Sequence, residues 1–212
     1  MKKVITESDI VKLNLSNIKK LYVTDNTIIT PLAKDSIKES GISVIIGEDN
    51  KVEANAQPNT NTVALGCDHT GLDIKLMLID ILKEKGFKTL DLGTNTKDSC
   101  DYPDFAFAVA SKVALKEVDF GIIVDATGIP SSITANKVPT VRACTCYNEF
   151  SARSAREHNN GNVLVVGAKS LGEETIKSIL DVWLSTEFGG DRHQRRLDKI
   201  TEIEELFLKK RD

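Results

Sequence analysis

The sequence predicts a doubly wound α/β domain built on a five-stranded parallel sheet, with a small N-terminal extension and a C-terminal helical arm. Three observations predict it. From residue 63 onward, short apolar runs rich in β-branched residues alternate with stretches of helical periodicity, the pattern of βαβ units whose sheet is covered on both faces. Hydrophobic residues make up 41% and charged residues 28% of 212, a composition that can bury a substantial core. Finally, the stretch EDNKVEANAQPNTNT at 48–62 is polar and broken by Pro58, so it reads as a linker between a short N-terminal segment and the α/β domain.

Before that linker, residues 1–47 offer a helix near 8–13, a strand at 20–23, a helix at 31–40 ending on Gly41, and a strand at 42–46. So short a segment buries little by itself. It is expected to dock on something or to fold with a partner. After the linker, residues 63–212 supply strands at 63–66, 88–92, 120–124, 141–146 and 163–166. The helical stretches between and after them are 72–85, closed by Gly86, then 105–116, a short one near 131–136, 151–157 and 173–184. The last helix, 192–210, carries both charge signs, fitting either a subunit contact or a solvated face.

Several function classes are disfavoured at this level. A formal charge of −3 is wrong for a general nucleic-acid binder, which needs a basic excess. No apolar run approaches the roughly 20 residues that span a bilayer, and MKKVITESD lacks the apolar core of a signal peptide. The expected location is cytoplasmic. The four cysteines, Cys67, Cys100, Cys144 and Cys146, form no CxxC pair, so buried, inert thiols are expected rather than a metal or redox site.

In open parallel sheets, ligands bind beyond the carboxyl ends of the strands. There the sequence places Asp68, His69, Thr70 and Gly71 after the first strand, and Asp125, Ala126, Thr127 and Gly128 after the third. The helix after the fourth strand ends in Arg156, Glu157, His158 and Asn159. The expectation is that these proton-transferring groups share one rim. Each also has a plainer use: Asp68 and Asp125 as helix caps, His158 as a complement to a helix dipole. Further on, Arg192 and Arg196 are one helical turn apart and could grip one phosphate from two directions, although a solvated basic turn has the same spacing.

The stretches GCDHTG, DYPDFA, TGI with ANKVPTVRA downstream, SARSAREHNNGNVLVVGAK and STEFGGDRHQRR resemble the ribose-5-phosphate isomerase type B and galactose-6-phosphate isomerase family. The resemblance implies a Rossmann-like three-layer α/β/α fold, no metal or organic cofactor, and homodimers, often paired into tetramers, with active sites built across the dimer interface. It also implies roles. Asp68, His69 and Tyr102 would contact substrate; Thr127 would assist ring opening; His158 would be its acid or base, with Asn159 holding the enediolate. Ala126 and Gly128 would belong to the substrate loop, Lys169 would be a basic substrate-side residue, and Arg192 with Arg196 would hold the phosphate.

One departure stands out. Where the family usually has Cys-Gly-Thr-Gly-Xaa-Gly, its Cys acting as base, this chain reads Asp125, Ala126, Thr127, Gly128, Ile129, Pro130. Asp125 is then the expected base, as a carboxylate is in triosephosphate isomerase, a known example. Pro130 has no N–H to offer an anion, which keeps open a catalytically impaired sugar-phosphate binder or scaffold, or a subunit active only with a paralogue. Residues 4–13 and 29–44 also resemble leading segments of proteins from ethanolamine-utilisation type bacterial microcompartments. That implies encapsulation or docking on shell or cargo proteins, unless the segment is an ornament packed on its own core.

Overall fold

The computed structural model describes residues 4–7, 10, 20–23, 27–46 and 61–208. The chain divides into two compact units, Met1–Ala56 and Gln57–Asp212. Most of the expected helix near 8–13, and the linker up to residue 60, lie outside the described residues.

In the first unit, β1 (Val4–Ile5) pairs in parallel with β3 (Ile28–Ile29), and β2 (Lys20–Val23) with β4 (Ser43–Ile46). Between β3 and β4 runs α1 (Pro31–Ser40). Its ends follow from local chemistry: the Thr30 hydroxyl accepts the Ala33 N–H, Pro31 fills the first turn, and Gly41 closes the helix at φ 65°. Ile5, Ile10, Leu21, Val23, Ala33, Ile37 and Ile42 form a small apolar cluster of its own.

The second unit is the α/β domain. Its strands are β5 (Thr62–Cys67), β6 (Lys88–Asp91), β7 (Phe120–Asp125), β8 (Ala143–Thr145) and β9 (Val163–Gly167). They form one five-stranded sheet in the order β6-β5-β7-β9-β8, every pairing parallel. The helices are α2 (Leu72–Glu84), α3 (Tyr102–Ala114), α4 (Ile129–Ala135), α5 (Glu149–Asn159), α6 (Glu173–Ser185) and α7 (Asp191–Leu208). Alternate strand residues sort into two cores. Val63, Leu65, Ile122 and Leu164 face α2, α5 and α6, whereas Ala64, Ile123 and Val165 face α3 and α4. This is the three-layer α/β/α arrangement.

Helix α3 sits very close to the sheet. A Cβ on Gly66 or Gly121 would lie 2.8 or 2.6 Å from a Val109 methyl, so side chains at those strand positions would push α3 off. The helix also starts earlier than its periodicity suggests. Pro103 sits in its first turn after Asp101 at the N-cap position, where a missing N–H costs nothing. Edge strand β8 is shorter than expected. Pro139 and Thr140, the latter at φ 69°, delay its start.

Candidate active site

The strand order reverses between β5 and β7, since the chain leaves β5 for β6 on one side and returns to β7 on the other. Such a switch point opens a crevice at the carboxyl ends. The loops lining it are locked together: Asp68 N–H donates to the Val124 carbonyl at 3.3 Å, Ala168 N–H to the Asp125 carbonyl at 2.8 Å, and Lys169 N–H to the Ala126 carbonyl at 2.9 Å. Gly128 takes φ 83°, and a Cβ there would meet the Thr145 methyl at 2.7 Å.

Asp125 corrects an expectation. The residue is 1% exposed, and its carboxylate is turned into its own loop. One oxygen accepts N–H groups of Thr127 at 2.8 Å and Gly128 at 2.5 Å, and the other accepts the Ser131 N–H at 3.0 Å. The residue caps α4 and occupies the amides that could otherwise cradle an external anion. In this arrangement it is a loop organiser, not a base aimed at a substrate carbon. The signal for capping was already present in the Asp-x-Thr-Gly spacing before a short helix.

Asp68 behaves similarly but incompletely. Its Oδ1 accepts from Thr70 N–H at 2.8 Å, Thr70 hydroxyl at 2.6 Å and Gly71 N–H at 3.2 Å. Beside it, half-buried His69 accepts the Cys100 N–H at Nδ1, 3.3 Å. A neutral His69 therefore carries its proton on Nε2 and presents a donor. Tyr102 opens α3 on the same rim, half-buried; Thr127 and Lys169 are exposed there.

A buried cation that sequence reasoning missed supports this rim. Lys75 is 0% exposed; its Nζ lies 2.8 Å from both Asp91 oxygens and 2.9 Å from the Thr94 carbonyl. It pins the loop that runs from β6 toward Cys100 and Tyr102. Its signal was a lone Lys inside the apolar run LDIKLMLIDIL.

The remaining candidates lie elsewhere, and this too corrects an expectation. Helix α5 runs back from the carboxyl end of β8 to the amino end of β9, so His158 and Asn159 at its end stand at the opposite edge of the sheet. The Asn159 carbonyl accepts from Arg142 Nε at 3.1 Å, just before β8 begins. Five strand residues in β9, at about 3.3 Å each, separate the two edges by roughly 16 Å. Helix α6 likewise descends, so α7 starts at this lower edge with exposed Arg192 and Arg196. Gly189 N–H donates to the Glu157 carbonyl at 2.9 Å, joining the two helix ends. One chain thus carries these candidate residues in two groups: Asp68, His69, Tyr102, Thr127 and Lys169 at the upper edge, His158, Asn159, Arg192 and Arg196 at the lower.

Among the described residues, no cluster of acidic, His or Cys side chains could hold a metal ion, and no helix is long and apolar enough to cross a membrane. The cysteines are free. Burial raises the Cys67 thiol to about 11 and Cys146 to about 12.

Residues 63–200 match the family model described as Ribose/Galactose Isomerase. Ribose-5-phosphate isomerase B of Escherichia coli is 43% identical over 143 residues, 68% of this chain and 96% of that protein. Two solved structures superpose with similar coverage. That of ribose-5-phosphate isomerase B from Clostridium thermocellum gives a TM-score of 0.68 at 43% identity, covering 69% of this chain and 99% of the other. That of the Mycoplasma genitalium protein with bound ribulose-5-phosphate gives 0.66 at 40%, covering 68% and 96%. With a core matched over nearly the full length of these relatives and the motif stretches in the same order, the chain belongs to the Ribose/Galactose Isomerase family.

Proposed function

We propose that residues 63–208 form an aldose–ketose isomerase for phosphorylated sugars that works as a homodimer, each active site joining the upper half-site of one copy to the lower half-site of the other. The observation that carries this reading is the separation of the two half-sites by roughly 16 Å within one chain, as five extended residues require. Neither edge alone combines a phosphate grip with the strand-end loops. A two-fold arrangement brings them together twice.

In this site Arg192 and Arg196 hold the phosphate, two guanidinium forks being suited to a dianion. His158 moves the proton between ring oxygen and anomeric hydroxyl that opens the sugar. In the isomerisation the Asp125 carboxylate, turned toward the open sugar, takes the C2 proton and delivers it to C1 of the cis-enediolate while the O2 proton passes to O1, with Asn159 donating to the enediolate oxygen. Because Asp125 is buried with three of its acceptor sites on loop amides, that turn requires its loop to rearrange. Ribose 5-phosphate is the first substrate to test, because relatives carry it in their names; galactose 6-phosphate and allose 6-phosphate come next.

A second reading is favoured by one observation, the capture of three loop amides by Asp125. It makes the chain a sugar-phosphate binder without turnover. Incubation in heavy water separates the two. The isomerase incorporates deuterium at C1 or C2 of at least one of these sugars, whereas binding without exchange for all three supports the second reading. The N-terminal unit, with its own apolar cluster and the microcompartment-like leading segments, is read as a docking or encapsulation module.

A further inference from the structure

His193 has no part in the proposed isomerase roles, yet it is the residue in closest register with His158. Their rings stack with centroids 4.5 Å apart and planes 10° from parallel. His193 and Leu197 are the buried residues of α7, one turn apart, while Arg192 and Arg196 remain exposed. Otherwise His158 is loosely held, with Ser154 Oγ at 3.4 Å from its Nδ1 and Glu157 Oε1 at 3.8 Å from its Nε2.

The chemistry of the His193 ring is fixed by its neighbour. Arg192 Nε lies 3.3 Å from His193 Nε2, and a guanidinium can only donate. The Nε2 atom must therefore present a lone pair, which makes the ring neutral with its proton on Nδ1. Burial, then His158, Arg192 and Arg196 all push its affinity for a second proton down. Nδ1 itself is buried without a partner.

We propose that His193 is a positioning residue for ring opening, a neutral imidazole held by Arg192 that fixes the plane of His158 and couples the phosphate-gripping guanidinium to the acid–base ring. The inference rests on the isomerase reading. Arg192 uses its Nε on this task and keeps its terminal nitrogens for phosphate. Phosphate binding thus steadies the stack just when the sugar ring must open.

The test compares His193→Ala with His193→Phe in the full chain, using two readouts. Conversion of ribose 5-phosphate needs ring opening. Solvent deuterium exchange into ribulose 5-phosphate does not, because a ketose whose C5 oxygen carries the phosphate cannot close a furanose. With Ala, conversion should fall about tenfold, a modest share of what positioned acid–base catalysis supplies, while exchange stays within about twofold. Phe keeps an aromatic plane and should retain at least about a third of the conversion. Equal loss of both readouts in the Ala variant, loss of neither, or Phe as poor as Ala would overturn the inference. Absence of both activities in the unsubstituted protein would instead remove the isomerase reading, and this inference with it.

Discussion

Replacing Asp125 by Ala removes the acceptor of three backbone N–H groups at once. Gly128 and Ser131 are buried and Thr127 is exposed, so two of those donors lose their partner away from water while the third can turn to solvent. A buried amide left unmet costs about 1–3 kcal/mol, and hydrogen bonds to a charged acceptor sit at the stronger end. Relief of the buried carboxylate's own desolvation offsets part of this, leaving a net loss of about 3–4 kcal/mol. For a chain of this size that is a fall in Tm of about 10 °C. Asp125→Asn keeps one carbonyl oxygen for Thr127 and Gly128 but sets an NH2 against the Ser131 N–H, for a loss of about 2 kcal/mol. Urea unfolding at fixed protein concentration measures both, with the m-value checked for constancy. A loss below about 1 kcal/mol for the Ala variant would refute the capping account.

Buried thiols and a buried ion pair give further expectations. Cys67 and Cys146, raised by burial to about 11 and 12, should react slowly with a disulfide reagent at pH 8 in the native state and rapidly once unfolded. Both folded-state values exceed the ordinary 9.0, so the stability these thiols contribute is complete below pH 9 and is lost as pH rises through 11–12; alkaline titration of the unfolding midpoint reads this. Lys75→Met breaks a pair whose ammonium is fully buried while the Asp91 side chain is 35% exposed. Stability should fall by about 3 kcal/mol in chemical denaturation, and a second change, Asp91→Leu, should recover part of it.

The sheet was legible because its strands are buried on both faces and so read as near-continuous apolar runs, such as FGIIVD and VLVVG. The start of α3 was not legible because Pro103 reads as a breaker when its place in the first turn is unknown. The candidate residues were legible as motifs, but their distribution over two edges was not. That distribution arises from strand direction and from α5 and α6 descending, which no local spacing encodes. The roles of Asp125 and His193 turn on which way a carboxylate and an imidazole face. Asp125 sat in a capping pattern and a catalytic pattern at once, and only the three amide contacts separate them. His193 was masked by the Arg192 and Arg196 pair in the same motif, although its spacing to Leu197 marks the inward face of α7.

The most direct measurement mixes two variants that are each inactive. One is damaged on the upper edge, by Thr127→Ala with Lys169→Ala, and the other on the lower edge, by Arg192→Ala with Arg196→Ala. Co-expression at equal levels gives dimers of which about half are mixed, each with one intact site, so the account predicts about a quarter of the unsubstituted protein's activity. Activity no higher than the average of the two variants alone would contradict a site shared between copies.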